Sequence, residues 1–209
     1  PRSMLMYGSC FDLESGLNFL LSGEIEHNGK IAHIPPNDWG LTVLFHNFIK
    51  DVDAGFDTSA VQTVLAARVA DKLDEVERLK TELNKHDFQF VDSVLTAKCT
   101  PQIAEIAKQI IESQKDSLKQ VSPSSFCEQI LMRVFIMHGA NDSMVPYTES
   151  VKLGNNLPNN INIEARLIAP DGIDGRFFLV YQNYKNILYY NCSSYYAVAI
   201  GLLSDAIKN

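Results

Sequence analysis

The sequence predicts an α/β fold in which a partial parallel sheet carries a mainly helical insertion. Two short apolar runs, residues 4–7 and 134–137, are each followed by a loop and then by a helical pattern, which is typical of strands in an α/β sheet. Residues 57–118 lie between these runs and carry apolar side chains at helical spacing. A third candidate strand, residues 163–169, alternates apolar and polar side chains, as an edge strand with one solvated face does.

The first strand ends at residues 8–10, and a helical pattern then continues to a stop at Gly23. The clearest helix begins at a cap among residues 57–59 and follows one apolar stripe to Leu83. Another helix begins with Thr100 as its cap and Pro101 in its first turn, and its apolar face extends to Leu118. These patterns predict a helical cap or lid subdomain at residues 35–125, and a core portion made of residues 1–34 and 126–209.

Two further segments complete this division. A helix is predicted from about residue 147 to residue 157, after the second apolar run. Residues 177–207 are rich in tyrosine and phenylalanine, which predicts a packed terminal helix whose hydroxyl groups reach polar partners.

Composition excludes several classes of function. The chain has 209 residues, 46% of them apolar, which is enough to bury a core. Its net charge of -7 comes without a cluster of Lys or Arg, so nucleic acid is not an expected partner. No apolar run is long enough to span a membrane, and residues 1–3 do not start a signal peptide, so a cytoplasmic location is expected.

The four cysteines offer no metal site. Cys10, Cys99, Cys127 and Cys192 form no Cys-x-x-Cys pair and have no histidine at ligand spacing. We expect reduced, mostly buried thiols, and we expect neither a metal nor another cofactor.

Residues 133–157 contain the most specific motif. After the apolar run come His138-Gly139, an acidic turn that ends at Asp142, and Val145-Pro146 at the start of an amphipathic segment. Since open α/β sheets place their chemistry at the carboxyl ends of strands, Asp142 is the candidate catalytic carboxylate. A carboxylate on such a loop can instead cap the next helix or accept hydrogen bonds from loop amides.

This motif resembles, position by position, the acid-bearing segment of α/β-hydrolases, with Asp142 in the place of the triad carboxylate. The resemblance implies a serine hydrolase acting on esters or similar acyl compounds, with a helical cap inserted before the acid-bearing strand. It further implies that the chain corresponds to the carboxyl-terminal part of such an enzyme. A small-molecule acyl substrate or ligand is the expected partner, and a preceding polypeptide could complete the sheet.

Two departures from the family pattern concern the other members of the triad. The sequence contains no Gly-x-Ser-x-Gly turn, and its nearest phrase, around Ser9, lacks the second glycine. The base should follow the acid in chain order, yet residues 170–176 contain no histidine. His138 precedes the acid, and its expected role is to shape the loop rather than to transfer a proton.

Three hypotheses follow. The chain is the cap and acid segment of a serine hydrolase and is inactive alone, because the triad works only as a unit. Alternatively, it is a non-catalytic α/β-hydrolase-like module that binds a small apolar ligand or a partner protein. A third possibility is a different α/β protein whose loop imitates the motif, with Asp142 far from any pocket.

Overall fold

The computed structural model describes residues 3–158, 165–168, 170, 178–190 and 192–207. The chain divides into two compact units, Pro1–Asn160 and Ile161–Asn209. In the first unit the strands are β1 (Ser3–Tyr7), β2 (Glu24–His27), β3 (Lys30–His33) and β4 (Arg133–Met137). Its helices are α1 (Leu13–Ser22), α2 (Asp38–Phe48), α3 (Ser59–Val69), α4 (Leu73–Lys80), α5 (Lys85–Leu95), α6 (Pro101–Ser113), α7 (Lys115–Val121) and α8 (Tyr147–Asn156).

Strands β1 and β4 form a two-stranded parallel sheet, although cross-strand partners such as Tyr7 and Met137 lie 130 positions apart in the sequence.

 Strand β4 begins at Arg133, 126 positions after β1 ends at Tyr7. The register pairs Leu5 with Phe135. Because the two strands are parallel, the segment between them must lead from the end of β1 back to the start of β4.

The two faces of this sheet differ in exposure. Met4, Met6 and Ile136 are half-buried, whereas Leu5 is 62% and Phe135 is 44% exposed on the other face. Side chains alternate between the faces of a strand, so one face of the sheet packs on the protein and the other presents apolar groups to solvent.

Helix α1, which follows the first strand, is capped at both ends. The Asp12 carboxylate accepts a hydrogen bond of 2.8 Å from the Ser15 amide at the start of the helix. At the other end Gly23 adopts a left-handed conformation (φ 66°) and donates its N–H to the Phe19 carbonyl. A Cβ at Gly23 would lie 2.8 Å from the Ile34 carbonyl oxygen, so the β2–β3 hairpin requires a glycine there.

The main hydrophobic core lies among α1 to α6. Phe45 is fully buried, and its ring meets Phe90 edge to face with the ring centres 5.4 Å apart. Phe56 packs on Phe90 from another direction, at 5.2 Å. Other core residues with at most 1% exposure include Leu41, Ile49, Val61, Val64, Leu65, Val91, Val94, Ile103, Ala107 and Ile110.

The single helix predicted from residues 57–59 to Leu83 is wrong, because the structure forms α3 and α4 instead. Asp71 adopts a left-handed conformation (φ 57°), and the Lys72 amide bonds back to the Ala67 carbonyl, which ends the first helix. The apolar stripe continues across this break, so periodicity alone did not reveal it. A similar break at Gln114 separates α6 from α7, while Thr100 caps α6 as predicted.

The second unit contains β5 (Ala165–Ile168), β6 (Phe178–Tyr181), α9 (Gln182–Tyr190) and α10 (Ser194–Ile207). Its two strands are antiparallel, and β5 is not paired with β1 or β4 in the part of the chain that the structure describes. The expectation of a third parallel strand is therefore not met there. A strand and two helices also replace the single terminal helix that was predicted. Most of residues 170–176, where a triad histidine was sought, lie outside the described residues.

Together these elements make a helix-rich protein with a small parallel sheet. Within the described residues, none of the helices combines the length and the apolar character needed to cross a membrane. The division into a core portion and a helical cap subdomain stays a prediction.

We expect Gly40→Ala to lower the free energy of unfolding by about 1 kcal/mol, because overpacking outweighs the higher helix propensity of alanine. A Cβ at Gly40 would lie 2.6 Å from a methyl carbon of Leu20, where α1 and α2 approach closely. Urea unfolding followed by circular dichroism measures the change. The control is Gly201→Ala, which adds the same methyl group to α10 with no atom within 4 Å. A Gly40→Ala protein as stable as the control would contradict this close packing.

Candidate functional site

The candidate site lies at the carboxyl end of the parallel sheet. The Gly8 amide donates to the Met137 carbonyl at 2.9 Å, so β1 and β4 stay paired up to their last residues. The loop after β4 then turns back, with the Asp142 amide donating to the Gly139 carbonyl at 3.1 Å. Asp142 is thereby placed beside Gly8, at the end of the neighbouring strand.

Asp142 uses its two carboxylate oxygens differently. Oδ1 accepts hydrogen bonds from the amides of Met144 (2.9 Å) and Val145 (3.0 Å). Oδ2 lies 3.4 Å from Nε2 of His138, and 3.8 Å from where a Cβ would stand on Gly8. The side chain is 28% exposed. The loop amides therefore hold one oxygen, while the other faces the end of β1.

His138 is part of the structure of this loop. Its side chain is only 5% exposed, with Nε2 2.8 Å from the Val145 carbonyl oxygen and Nδ1 2.6 Å from Oγ of Ser150. The ring is therefore enclosed by groups of the protein itself, and the hydroxyl group that it contacts belongs to Ser150, which is 5% exposed. Among the described residues, this is the imidazole that reaches Asp142.

Glu149 is the main site residue that sequence reasoning missed. Its side chain is 1% exposed, in the first turn of α8. Oε2 accepts the backbone amides of Phe11 (3.2 Å) and Asp12 (2.9 Å). Oε1 accepts the Ser15 hydroxyl and the Lys152 ammonium, each at 2.7 Å. This carboxylate ties the loop after β1 to the helix that follows Asp142.

The charge state of Glu149 follows from these contacts. Burial alone would raise its pKa, but hydrogen bonds from Lys152, the Asp12 amide and Ser15 outweigh burial, so the pKa is lowered. Cys10 responds in the opposite way, since burial and then the nearby Glu149 charge raise the pKa of its thiol to about 12. The thiol is therefore protonated near neutral pH and is a weak nucleophile.

Acidification should destabilise the protein through Glu149. Its pKa in the folded state lies below the usual value of 4.5. The contribution of this carboxylate to the free energy of unfolding is therefore complete above about pH 4.5, and it is lost as the pH falls through the folded-state pKa. Urea unfolding between pH 7 and pH 3 measures this loss, with fluorescence of Trp39, the only tryptophan in the sequence, as the signal. In the control Glu149→Gln the loss should be smaller. Equal losses in both proteins would contradict the assignment.

Ser9 does not stand on a nucleophile elbow. Such an elbow places the serine on a sharp turn directly between a strand and a helix. Here α1 begins at Leu13, four positions after Ser9, and Asp12 is its cap. The Ser9 carbonyl oxygen accepts a hydrogen bond from Ser150, and the described residues show no bond from its hydroxyl group to an imidazole.

Ser15 and Lys152 are close enough to suggest another nucleophile and base, with Nζ 2.8 Å from Oγ. The Lys152 ammonium is also bonded to Glu149, and the Ser15 hydroxyl donates to the same carboxylate. An ammonium group has no lone pair with which to accept a proton. This cluster is a salt-bridged hydrogen-bond network rather than an activated serine.

A cleft of about 590 Å³ opens beside this network, between α1, the β2–β3 hairpin and the start of α8. Its lining includes Glu24, Glu26, Thr148 and Lys152, but not Asp142. This cleft is therefore not built around the candidate catalytic carboxylate. Among the described residues there is also no group of three or more His, Cys, Asp or Glu side chains that could hold a metal ion.

Comparison with known proteins gives two family matches. The model of the BD-FAE family matches residues 45–157, which is just over half of the chain and includes the helical segment, β4 and Asp142. The model of the transglycosylase SLT domain matches residues 140–205, about a third of the chain. No curated protein and no solved structure matches the chain significantly.

Proposed function

This chain belongs to the BD-FAE family, an esterase family of the α/β-hydrolase type, and from that premise we propose that it carries the acid arm of an ester hydrolase. In this proposal Asp142 is the carboxylate that orients a catalytic imidazole, and the helices within residues 35–125 form the cap subdomain. The substrate is an ester or a similar acyl compound. The chain by itself hydrolyses none.

The geometry of Asp142 is the observation that supports this role. A triad carboxylate has to be fixed in place and still present one oxygen to an imidazole N–H. Asp142 meets the first requirement through the amides of Met144 and Val145. The side chain is 28% exposed, and its Oδ2 faces Gly8 at the end of the sheet.

The proposed inactivity of the chain follows from the other two members of the triad, the base and the nucleophile. In the described residues, the hydroxyl group that His138 contacts belongs to Ser150, which is 5% exposed within α8, and Ser9 lies outside any strand-to-helix elbow. Without an accessible hydroxyl group and a base that act together, an orienting carboxylate contributes no useful rate.

The exposed face of the parallel sheet is an argument for a partner segment that completes the site. Leu5 and Phe135 are cross-strand neighbours on this face, and Tyr7, 75% exposed, lies on the same side of β1. Parallel sheets are normally covered on both faces, because their connections place helices there. We propose that a further polypeptide segment covers this face and supplies the nucleophile and the base.

An ester-hydrolysis assay tests the proposal. The purified chain and Asp142→Asn should both hydrolyse p-nitrophenyl acetate at the rate of the buffer. Turnover that Asp142→Asn abolishes would show that the chain holds a complete triad and would overturn the proposed inactivity. If p-nitrophenyl butyrate instead raises Tm without turnover, the alternative gains support, namely a non-catalytic module that binds a small apolar ligand or a partner protein.

Transglycosylase activity is the weaker candidate. Cleavage of a glycosidic bond needs a carboxylic acid that stays protonated until it donates to the leaving oxygen. Glu149 is the buried carboxyl group among the described residues of the matched segment, yet its hydrogen bonds lower its pKa. An acid held in its ionised form cannot serve as that proton donor.

A further inference from the structure

Three polar groups meet where the loop after β1 touches α8. Oγ of Ser150 lies 2.6 Å from Nδ1 of His138 and 3.0 Å from the Ser9 carbonyl oxygen. His138 Nε2 faces the Val145 carbonyl oxygen at 2.8 Å and Asp142 Oδ2 at 3.4 Å. His138 is 5% and Ser150 is 5% exposed, so water does not easily replace these partners.

The hydrogens carried by the Ser150 hydroxyl and the His138 ring determine which of these hydrogen bonds can form at the same time. Both groups facing Nε2 are acceptors, so Nε2 carries a hydrogen in either charge state of the ring. The Ser150 hydroxyl has one hydrogen and two acceptors within reach, the Ser9 carbonyl and an unprotonated Nδ1. When Nδ1 also carries a hydrogen, Ser150 must accept from it and can donate only to Ser9. When Nδ1 does not, the shorter contact favours donation from Ser150 to the ring.

We propose that the Ser150 hydroxyl is a two-position hydrogen-bond switch controlled by the second proton on His138. With the doubly protonated ring, Ser150 binds the Ser9 carbonyl and links the loop after β1 to α8. With the neutral ring, Ser150 turns to Nδ1 and releases that carbonyl. Lower pH therefore strengthens the attachment of the peptide unit between Ser9 and Cys10.

The charged and titratable groups around His138 fit this direction. Asp142, on the same loop, is an acceptor for the charged ring. On α8, the neighbouring Glu149 is ionised and paired with Lys152. The loop after β1 contributes the Cys10 thiol and the Asp12 carboxylate, which caps α1.

The change is local. Glu149 keeps hold of the amides of Phe11 and Asp12 in both states, so the loop stays attached beyond Cys10. The released segment is the part next to Gly8, which lies beside Asp142 Oδ2. The switch therefore alters the approach to the candidate carboxylate, yet it requires no ester chemistry and stands independently of the proposed function.

NMR between pH 5 and pH 8 tests the switch in the intact chain. The ring ¹⁵N shifts of His138 report its protonation, and the ¹³C shift of the Ser9 carbonyl reports the bond to Ser150. In the wild type both should change with the same midpoint, and the Ser9 carbonyl should be downfield at low pH. A Ser9 signal that stays constant while the ring ¹⁵N shifts change would overturn the proposal, as would ring shifts that stay constant over the whole titration.

Two variants separate the switch from a general effect of pH. In Ser150→Ala the ring should still titrate, while the Ser9 carbonyl shift should no longer follow it. Ser143→Ala removes the same hydroxyl group from the neighbouring loop and should leave the coupled response intact. If Ser150→Ala fails to fold, His138→Gln provides the test, since the Ser9 shift should then be independent of pH. The proposal is contradicted if the Ser9 carbonyl shift still follows the ring in Ser150→Ala, or if it still changes with pH in His138→Gln.

Discussion

Glu149→Ala should lower the free energy of unfolding by about 3 to 5 kcal/mol, because the substitution leaves several buried donors without an acceptor. The carboxylate serves two backbone amides, a hydroxyl and an ammonium group, and its side chain is 1% exposed. An unsatisfied buried donor costs about 1 to 3 kcal/mol, so the separate losses reach this range even though Lys152 can return to solvent. Urea unfolding followed by Trp39 fluorescence measures the change.

The matched control is Glu82→Ala. Glu82 forms an ion pair with Arg78 on the surface, where both side chains are more than half exposed. Exposed pairs contribute at most about 1 kcal/mol, so this variant should be nearly as stable as the wild type. Similar losses for the two substitutions would show that the Glu149 network does not hold the loop after β1.

Phe45→Ala should cost about 3 to 5 kcal/mol, as large-to-small substitutions of fully buried aromatic residues do. Phe45 is 0% exposed at the centre of the helical core and packs edge to face on Phe90. The alanine leaves a cavity that the surrounding helices can only partly fill. The same fluorescence-detected urea unfolding measures this loss.

Phe88→Ala is the corresponding control on α5. Its ring is 42% exposed and lies under the Lys80 ammonium at 5.5 Å, so its removal should cost less than about 1 kcal/mol. If Phe45→Ala were as stable as this control, the helical segment would lack the packed core described above.

Local patterns in the sequence predicted the strands β1 and β4, the end of α1 at Gly23, the Thr100 cap of α6, and the position of Asp142 at a strand end. These features depend on signals a few residues apart, such as an apolar run before a glycine or a threonine before a proline. The β2–β3 hairpin was missed because its strands have four residues each and give no alternating pattern: Ile25 is buried, whereas β3 is exposed along its length. Helix α5 was also missed. The break at Asp71 was missed because the apolar stripe continues across it.

The role of Glu149 could not be read from the sequence. A glutamate in the first turn of a helix is ordinarily a solvated residue that interacts with the helix dipole. Only the folded chain brings Phe11 and Asp12 to it, from 138 and 137 positions away.

Intact-mass spectrometry of the purified chain after treatment with a fluorophosphonate shows directly whether the chain holds an activated serine. The mass should remain that of the unmodified chain, because fluorophosphonates react with serines that a neighbouring base has activated and the proposed role of this chain is to supply only the orienting carboxylate. A stoichiometric adduct, mapped by peptide analysis to Ser9, Ser15 or any other serine, would contradict it.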